Sequence, residues 1–186
     1  IKSYSLSAPF SLATTPTNTG SFSYASDFTT EHGFCFADSG SKLYILGVNA
    51  GTFLWQYSLS TAYDLSTVSY VRKLDIDSVT GQPRGVFFKT DGSKMFIIDI
   101  DTDKIYEWAL STNFDISTAS NTANFSVATE STEPVGLTMS SDGTRFHYVG
   151  ANDNKVRGYT MSTAWDVTSA SLTMSTNLSS YVSSGS

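Results

Sequence analysis

The chain has 186 residues, enough for one domain that buries roughly 70% of its unfolded surface. With 15% of residues charged and 13% aromatic, the composition excludes a disordered tail and fits an all-β protein with polar outer faces. A net charge of −6 argues against nucleic acid as a partner, since phosphate neutralisation needs clustered Lys and Arg, and no apolar run approaches the ~20 residues of a membrane span.

From the N-terminus, Tyr4-Ser-Leu-Ser-Ala-Pro-Phe10 is a partial copy of a phrase that returns three times: as Tyr57-Ser-Leu-Ser-Thr-Ala-Tyr-Asp64, as Trp108-Ala-Leu-Ser-Thr-Asn-Phe-Asp115 and as Tyr159-Thr-Met-Ser-Thr-Ala-Trp-Asp166. A second phrase alternates with it. Gly85-Val-Phe-Phe-Lys-Thr-Asp91-Gly92-Ser-Lys-Met-Phe-Ile97 recurs from Gly136 to Tyr148, and more loosely from Gly33 to Ile45. A fixed period of about 51 residues marks an array of supersecondary units that bury their faces against one another. Lone Cys35 excludes an internal disulfide and, set between Phe34 and Phe36, reads as a small half-buried strand residue.

Within one repeat, residues 85–89 read as a first strand and Thr90-Asp91-Gly92-Ser93 as a tight hairpin turn. Residues 94–100 read as a second strand, Asp101-Thr102-Asp103 as a turn, and 105–110 as a third strand with Tyr106 and Trp108 on one face. After a Ser/Thr/Asn/Asp-rich connection, residues 121–127 read as a fourth. Four short antiparallel strands per repeat make the unit of a β-propeller blade. The reading is therefore all-β, a single propeller domain over 1–186, with a half blade at 1–28 and full blades at 29–80, 81–131 and 132–186. The half blade is expected to supply a third strand at 2–6 and a fourth at 21–28. Its missing strands leave an open edge, and open edges pair with other chains. Self-association through the half-blade edges is expected, with two copies head to tail closing seven blades as a homodimer.

The run Asp91-Gly-Ser-Lys-Met-Phe-Ile97, followed by a polar turn and Lys104-Ile-Tyr-Glu-Trp108, resembles the propeller repeats of the YVTN and lactonase-like group. The extension over 59–67 looks like repeats common in marine bacterial and phage surface proteins. The resemblance covers nearly the whole chain and implies a blade scaffold that serves binding modules, structural repeats and some enzymes. Trp165-Asp166 is not a WD40 signature, because it lies between the third and fourth strands and lacks a preceding Gly-His.

Residues that repeat in every blade read as scaffold: Tyr57, Trp108 and Tyr159 as packing between sheets, Asp64, Asp115 and Asp166 as turn caps. Function in repeat folds lives where copies differ, in the loops at one end of the ring. The loops entering the first and third strands share one face. There the sequence places Asp27, Glu31, Asp77, Asp99, Asp101, Asp103, Glu130, Glu133 and Asp153 against Arg84, Lys104 and Lys155, which equals the chain's whole net charge. The candidate ligand-binding set is Glu31, His32, Arg84, Asp99, Asp101, Asp103, Glu130, Glu133 and Asp153. Within it, Asp99, Asp101 and Asp103 alternate on one turn and are the candidate Ca²⁺ ligands; the EF-hand positions six and twelve are Lys104 and Leu110, so it is not that motif. No other metal and no cofactor is expected.

There is no Gly-x-Ser-x-Gly elbow, His-Glu-x-x-His or phosphate loop, and His32 and His147 fall at different repeat positions. The expectation is a protein that is not an enzyme: an extracellular or virion-surface propeller module for binding or assembly. Aromatic strands and Ser/Thr/Asn loops suit a glycan, and a surface protein is the other expected partner. A structural self-assembling repeat and a lactonase-like metal-dependent hydrolase are the alternatives.

Overall fold

The computed structural model describes residues 1–8, 11, 13, 15–24 and 29–180. It contains one two-stranded and three four-stranded sheets, all antiparallel and each ordered as the chain runs. The half blade is β1 (Lys2–Ser5) and β2 (Thr17–Ser21). Blade one is β3 (Thr30–Ala37), β4 (Lys42–Val48), β5 (Thr52–Leu59) and β6 (Val68–Asp75). Blade two is β7 (Pro83–Phe88), β8 (Lys94–Asp99), β9 (Lys104–Leu110) and β10 (Ala119–Ser126). Blade three is β11 (Pro134–Met139), β12 (Arg145–Gly150), β13 (Lys155–Met161) and β14 (Ala170–Asn177).

One strand departs from expectation. The fourth strand of the half blade is Thr17-Asn-Thr-Gly-Ser21 and not 21–28. Its polar composition reads as a loop, but pairing of Ser5 with Thr17 and Lys2 with Ser21 satisfies its backbone, which is what a strand needs. The aromatic residues just beyond it, Phe22 and Tyr24, pack on blade one instead. Residues 25–28 of the expected strand, with Asp27, lie outside the described residues.

The two repeated phrases explain how blades stack. β3 packs on β7 and β7 on β11, so the first strands converge on the inside of the array. Gly33 and Gly85 allow this: a Cβ on Gly33 would stand 3.3 Å from the Arg84 carbonyl oxygen, and one on Gly85 only 3.0 Å from the Leu137 nitrogen. Apolar positions then fill three seams. Trp55, Tyr57 and Leu59 pack toward the half blade, Trp108 and Leu110 toward blade one, and Tyr159 and Met161 toward blade two. Each blade therefore lays its third-strand aromatic on the blade before it. Cys35 is half-buried as a residue, its side chain packs on the seam between blades one and two, and burial pushes its thiol up to about 12. A thiol-specific colour reagent at neutral pH should leave the native protein unlabelled and label it fully in denaturant.

At the outer ends, Asp64, Asp115 and Asp166 each cap a short 3₁₀ turn, accepting from the backbone nitrogens of Ser66, Ser117 and Thr168 at 2.9 Å. Ser66, Ser117 and Thr168 also donate their hydroxyls, and these bonds hold the three carboxyls below the usual range. The Lys89 ammonium and Ser93 depress Asp91 to about 2, and Ser140 and Thr144 do the same for Asp142. Groups depressed in the folded state stabilise it fully above their unfolded values and lose that contribution as pH falls through their folded ones. The melting temperature should therefore be flat at neutral pH and decline between about pH 4 and about pH 2. A scan of melting temperature against pH that stayed level to the acid end would contradict this.

Candidate functional site

The loops entering the first and third strands do share one face, knitted by hydrogen bonds between the two kinds of loop. Ile100 N donates to the Gln82 carbonyl, Ala151 N to that of Glu133, and Ser131 Oγ to Asn152 Oδ1. Two separate clusters of the expected residues form there.

The first lies where blades one and two meet. β3 and β7 each carry a bulge, between Glu31 and Gly33 and between Pro83 and Gly85, which makes His32 and Arg84 the extra residues of the innermost strands. His32 Nδ1 donates to the Pro83 carbonyl at 2.9 Å, and the Arg84 guanidinium lies against the same ring. Burial first, and the Arg84 charge second, lower the imidazole pKa, so His32 is neutral at physiological pH with Nε2 as its acceptor. Arg84 Nη2 donates to Gln82 Oε1 at 2.8 Å, Gln82 Nε2 donates to Asp101 Oδ1 at 2.7 Å, and Gln82 N donates to Asp99 Oδ2 at 2.8 Å. Gln82 thus ties His32, Arg84, Asp99 and Asp101 into one network.

The second cluster belongs to blade three. Arg157 is buried on β13 and grips the Asp153 carboxylate with both terminal nitrogens while also donating to the Glu130 carbonyl. Its hydrogen bonds, and then its charge, hold the Asp153 carboxyl low. Glu130 itself accepts from the Thr129 hydroxyl at 2.6 Å. The Glu31 charge acts on His32 against the lowering of its pKa, and among the described residues the Glu133 carboxylate joins neither cluster.

The expected Ca²⁺ turn is built differently. Asp99 is fully buried and its Oδ1 accepts from the backbone nitrogen and hydroxyl of Thr102 at 2.9 and 2.8 Å. Asp103 stands apart with a left-handed φ of 53°, and burial followed by the Asp99 charge raises its carboxyl. Among the described residues no three His, Cys, Asp or Glu side chains gather closely enough to hold a metal ion. Asp99 and Asp101 thus share Gln82 as a donor residue while Asp103 stands outside that network, and turn closure by Thr102 together with the Gln82 bridge accounts for the pattern.

Sequence reasoning missed the two hubs, Gln82 and Arg157. A signal for Arg157 existed, because Trp55 and Tyr106 occupy its place in the other blades, and a charge replacing an aromatic at a core repeat position marks a local polar site. The recurring aromatics Tyr57, Trp108 and Tyr159 are buried, so they are closed to the sugar stacking expected of strand aromatics.

No protein-family model matches the chain, and no curated protein matches it in sequence. Its structure is similar to the periplasmic gluconolactonase of Pseudomonas aeruginosa, at 15% identity and a TM-score of 0.50 over 77% of this chain and 38% of that one. A candidate 6-phosphogluconolactonase of Bacteroides uniformis aligns at 10% identity and 0.53, over 87% and 60%. A chain of the nidogen/laminin complex aligns at 16% and 0.54, over 79% and 49%. This chain spans less than two thirds of the length of each of these proteins. The expectation that the protein is not an enzyme is overturned by these neighbours: blades of this build occur in proteins named as lactonases, so the lack of a catalytic motif no longer counts against activity. At these identities the likeness carries the fold, and the chain is a stretch of about three and a half blades of an all-β propeller.

Proposed function

We propose that this chain is a ring-building propeller segment that associates through its open blade faces and recognises its ligand on the loop face around His32 and Arg84. The carrying observation is exposure at one place in the repeat. Tyr57 and Leu59 are 1% and 5% exposed against the preceding sheet, whereas their counterparts Tyr4 and Leu6 are 51% and 37% exposed, with no sheet of the described residues packed on that side of the half blade. At the other end, Val149 and Met174 on the outward face of blade three are also exposed. The two faces are the leading and trailing sides of one repeating interface, so a second copy can join head to tail. Each copy brings third and fourth strands to the junction, so two chains make six complete blades and two half blades rather than seven complete ones.

Light scattering behind a sizing column tests this. The expected mass is a multiple of 20.1 kDa at micromolar concentration, reverting to the single chain when Tyr4→Asp places a charge on the leading face. A single-chain mass at every concentration overturns it.

The His32–Arg84 pair supports a second reading, lactone hydrolysis, which the names of the structural neighbours favour. A neutral imidazole with Nδ1–H held by Pro83 has Nε2 as the atom that takes a proton from water as it attacks the lactone carbonyl, and the Arg84 charge beside the ring, once it turns from His32 to the substrate, would stabilise the resulting oxyanion. Collapse breaks the ring C–O bond and returns the proton to the leaving oxygen, giving the hydroxy acid. Gluconolactone opening followed by pH-stat, above the spontaneous rate and lost in His32→Gln, is the expected result; a rate equal to buffer rejects it.

A further inference from the structure

We propose that the seam between blades one and two holds, at the hairpin-tip end of the molecule, a binding site for the pyranose ring of a neutral sugar. The site lies at the opposite end of β3 and β7 from His32 and Arg84, between two complete blades.

Two small residues create the space. At the seam between blades two and three, Trp165 is covered from blade two: Phe87 stacks on its ring at 6.4 Å, and the Lys89 ammonium stands over it at 5.9 Å. One repeat earlier the ring is Phe114, and the places of Phe87 and Lys89 are taken by Cys35 and Ala37. Both pack at the seam, but neither is long enough to cover the ring. Lys42 reaches it instead, 5.4 Å from the ring centre, and a cavity of about 290 Å³ remains between the two hairpin tips. At about 30 Å³ for each water, that is the space of about ten waters, room for one hexose ring with its hydroxyls. Repeat folds place function where the copies differ, and here a gap stands where the next seam is filled.

Walls and rim together name the ligand. Ala37 and Phe114, which leans on Phe88 at 6.3 Å, give apolar walls. An aromatic face is electron-rich, so it suits the apolar C–H face of a pyranose. The rim carries Asp38, Lys89 and Thr90. Asp38 is ion-paired with Lys42 at 2.5 Å and Lys89 with Asp91 at 2.8 Å, so the rim has no net charge. Its carboxylate accepts hydrogen bonds, its ammonium donates them and the Thr90 hydroxyl does both, which is what a set of sugar hydroxyls needs. An anion would meet Asp38 and a cation would meet Lys89. A wholly apolar ligand would strip water from both charges and replace none of it.

Saturation-transfer NMR on the intact 186-residue protein tests this, with the methyl glycosides of glucose, galactose, mannose and N-acetylglucosamine as probes. At least one glycoside should receive magnetisation on its ring C–H protons, with intermolecular contacts to the Phe114 ring and the Ala37 methyl group. Ala37→Lys combined with Ser39→Asp copies Lys89 and Asp91 into blade one. That variant should keep the parent's melting temperature, fill the cavity and lose the transfer. Absence of transfer to every glycoside overturns the proposal, and so does transfer that the filled variant retains. Should the filled variant melt lower, the contacts in the parent protein decide, and contacts away from this cavity overturn the site. Indole binding in the cavity, with no glycoside doing so, overturns the sugar class. A response lost in His32→Gln but kept in the filled variant belongs to the loop face, which overturns this site and leaves the reading above standing.

Discussion

Replacing Gly92 by alanine should destabilise the protein by about 2–4 kcal/mol, and replacing Gly143 should do at least as much. Both glycines sit at the tip of a first hairpin with left-handed φ, 73° and 70°. Both are covered by the aromatic residue of the other repeated phrase. A Cβ on Gly92 would lie 2.4 Å from the Phe114 ring, and one on Gly143 only 2.1 Å from Trp165. Those rings cannot swing away freely, because Phe114 N donates to the Gly92 carbonyl at 3.0 Å and Trp165 N to that of Gly143 at 2.8 Å. Gly136 supplies the control. It also has positive φ, 59°, but nothing lies within 4 Å of its added Cβ, so Gly136→Ala should cost only the backbone strain of about 1–2 kcal/mol. Urea unfolding of the three variants should rank them Gly143, Gly92, Gly136. Equal losses at all three would mean that ring contact contributes nothing.

That contact explains why two phrases some twenty residues apart keep the same phase through the chain. The spacing is legible in the sequence, and so are the Asp-Gly turns and the alternating strands, since each is a local rule of turn chemistry or side-chain period. The reason for the spacing is not legible, because an aromatic ring lying on a glycine is a tertiary contact. β2 was missed for a related reason: Thr17-Asn-Thr-Gly-Ser21 has no apolar alternation, and only β1 opposite makes it a strand. The candidate site follows the same division. The sequence groups these loops on one face, but it counts carboxylates without their partners, some of which lie far along the chain: Gln82 binds Asp101 from 19 residues away and Asp99 from 17. Summed charge therefore overstates how far the acidic residues act together.

The seam between blades two and three depends on one buried carboxylate. Glu107 is 5% exposed on β9; its Oε1 accepts from the Lys94 ammonium at 2.5 Å and its Oε2 from Val167 N at 3.2 Å. Lys94 in turn donates to the Trp165 carbonyl at 2.8 Å. Blade two thereby holds both a carbonyl and an amide of the connection in blade three. At the previous seam neutral side chains do the same work: Gln56 donates to the Phe114 carbonyl at 3.0 Å and accepts from Ile116 N at 3.3 Å, and the Tyr44 hydroxyl donates to that carbonyl at 2.6 Å. The equivalence predicts an unusual ranking. Glu107→Gln should stay within about 1 kcal/mol of the parent, because an amide can bond both loop groups as Gln56 does. Glu107→Leu should lose about 2–4 kcal/mol, since it strands the buried Val167 amide and removes the partner of Lys94, whose partial exposure to water moderates the loss. Chemical denaturation of both variants checks this. Were the two equally damaged, the ion pair itself would be what matters and the analogy with Gln56 would fail. Were the leucine variant harmless, packing alone would hold the seam. The outward face of blade three has Gly158 at this position, so it has no counterpart of the Gln56 and Glu107 side chains, and Val149 and Met174 are exposed on that face.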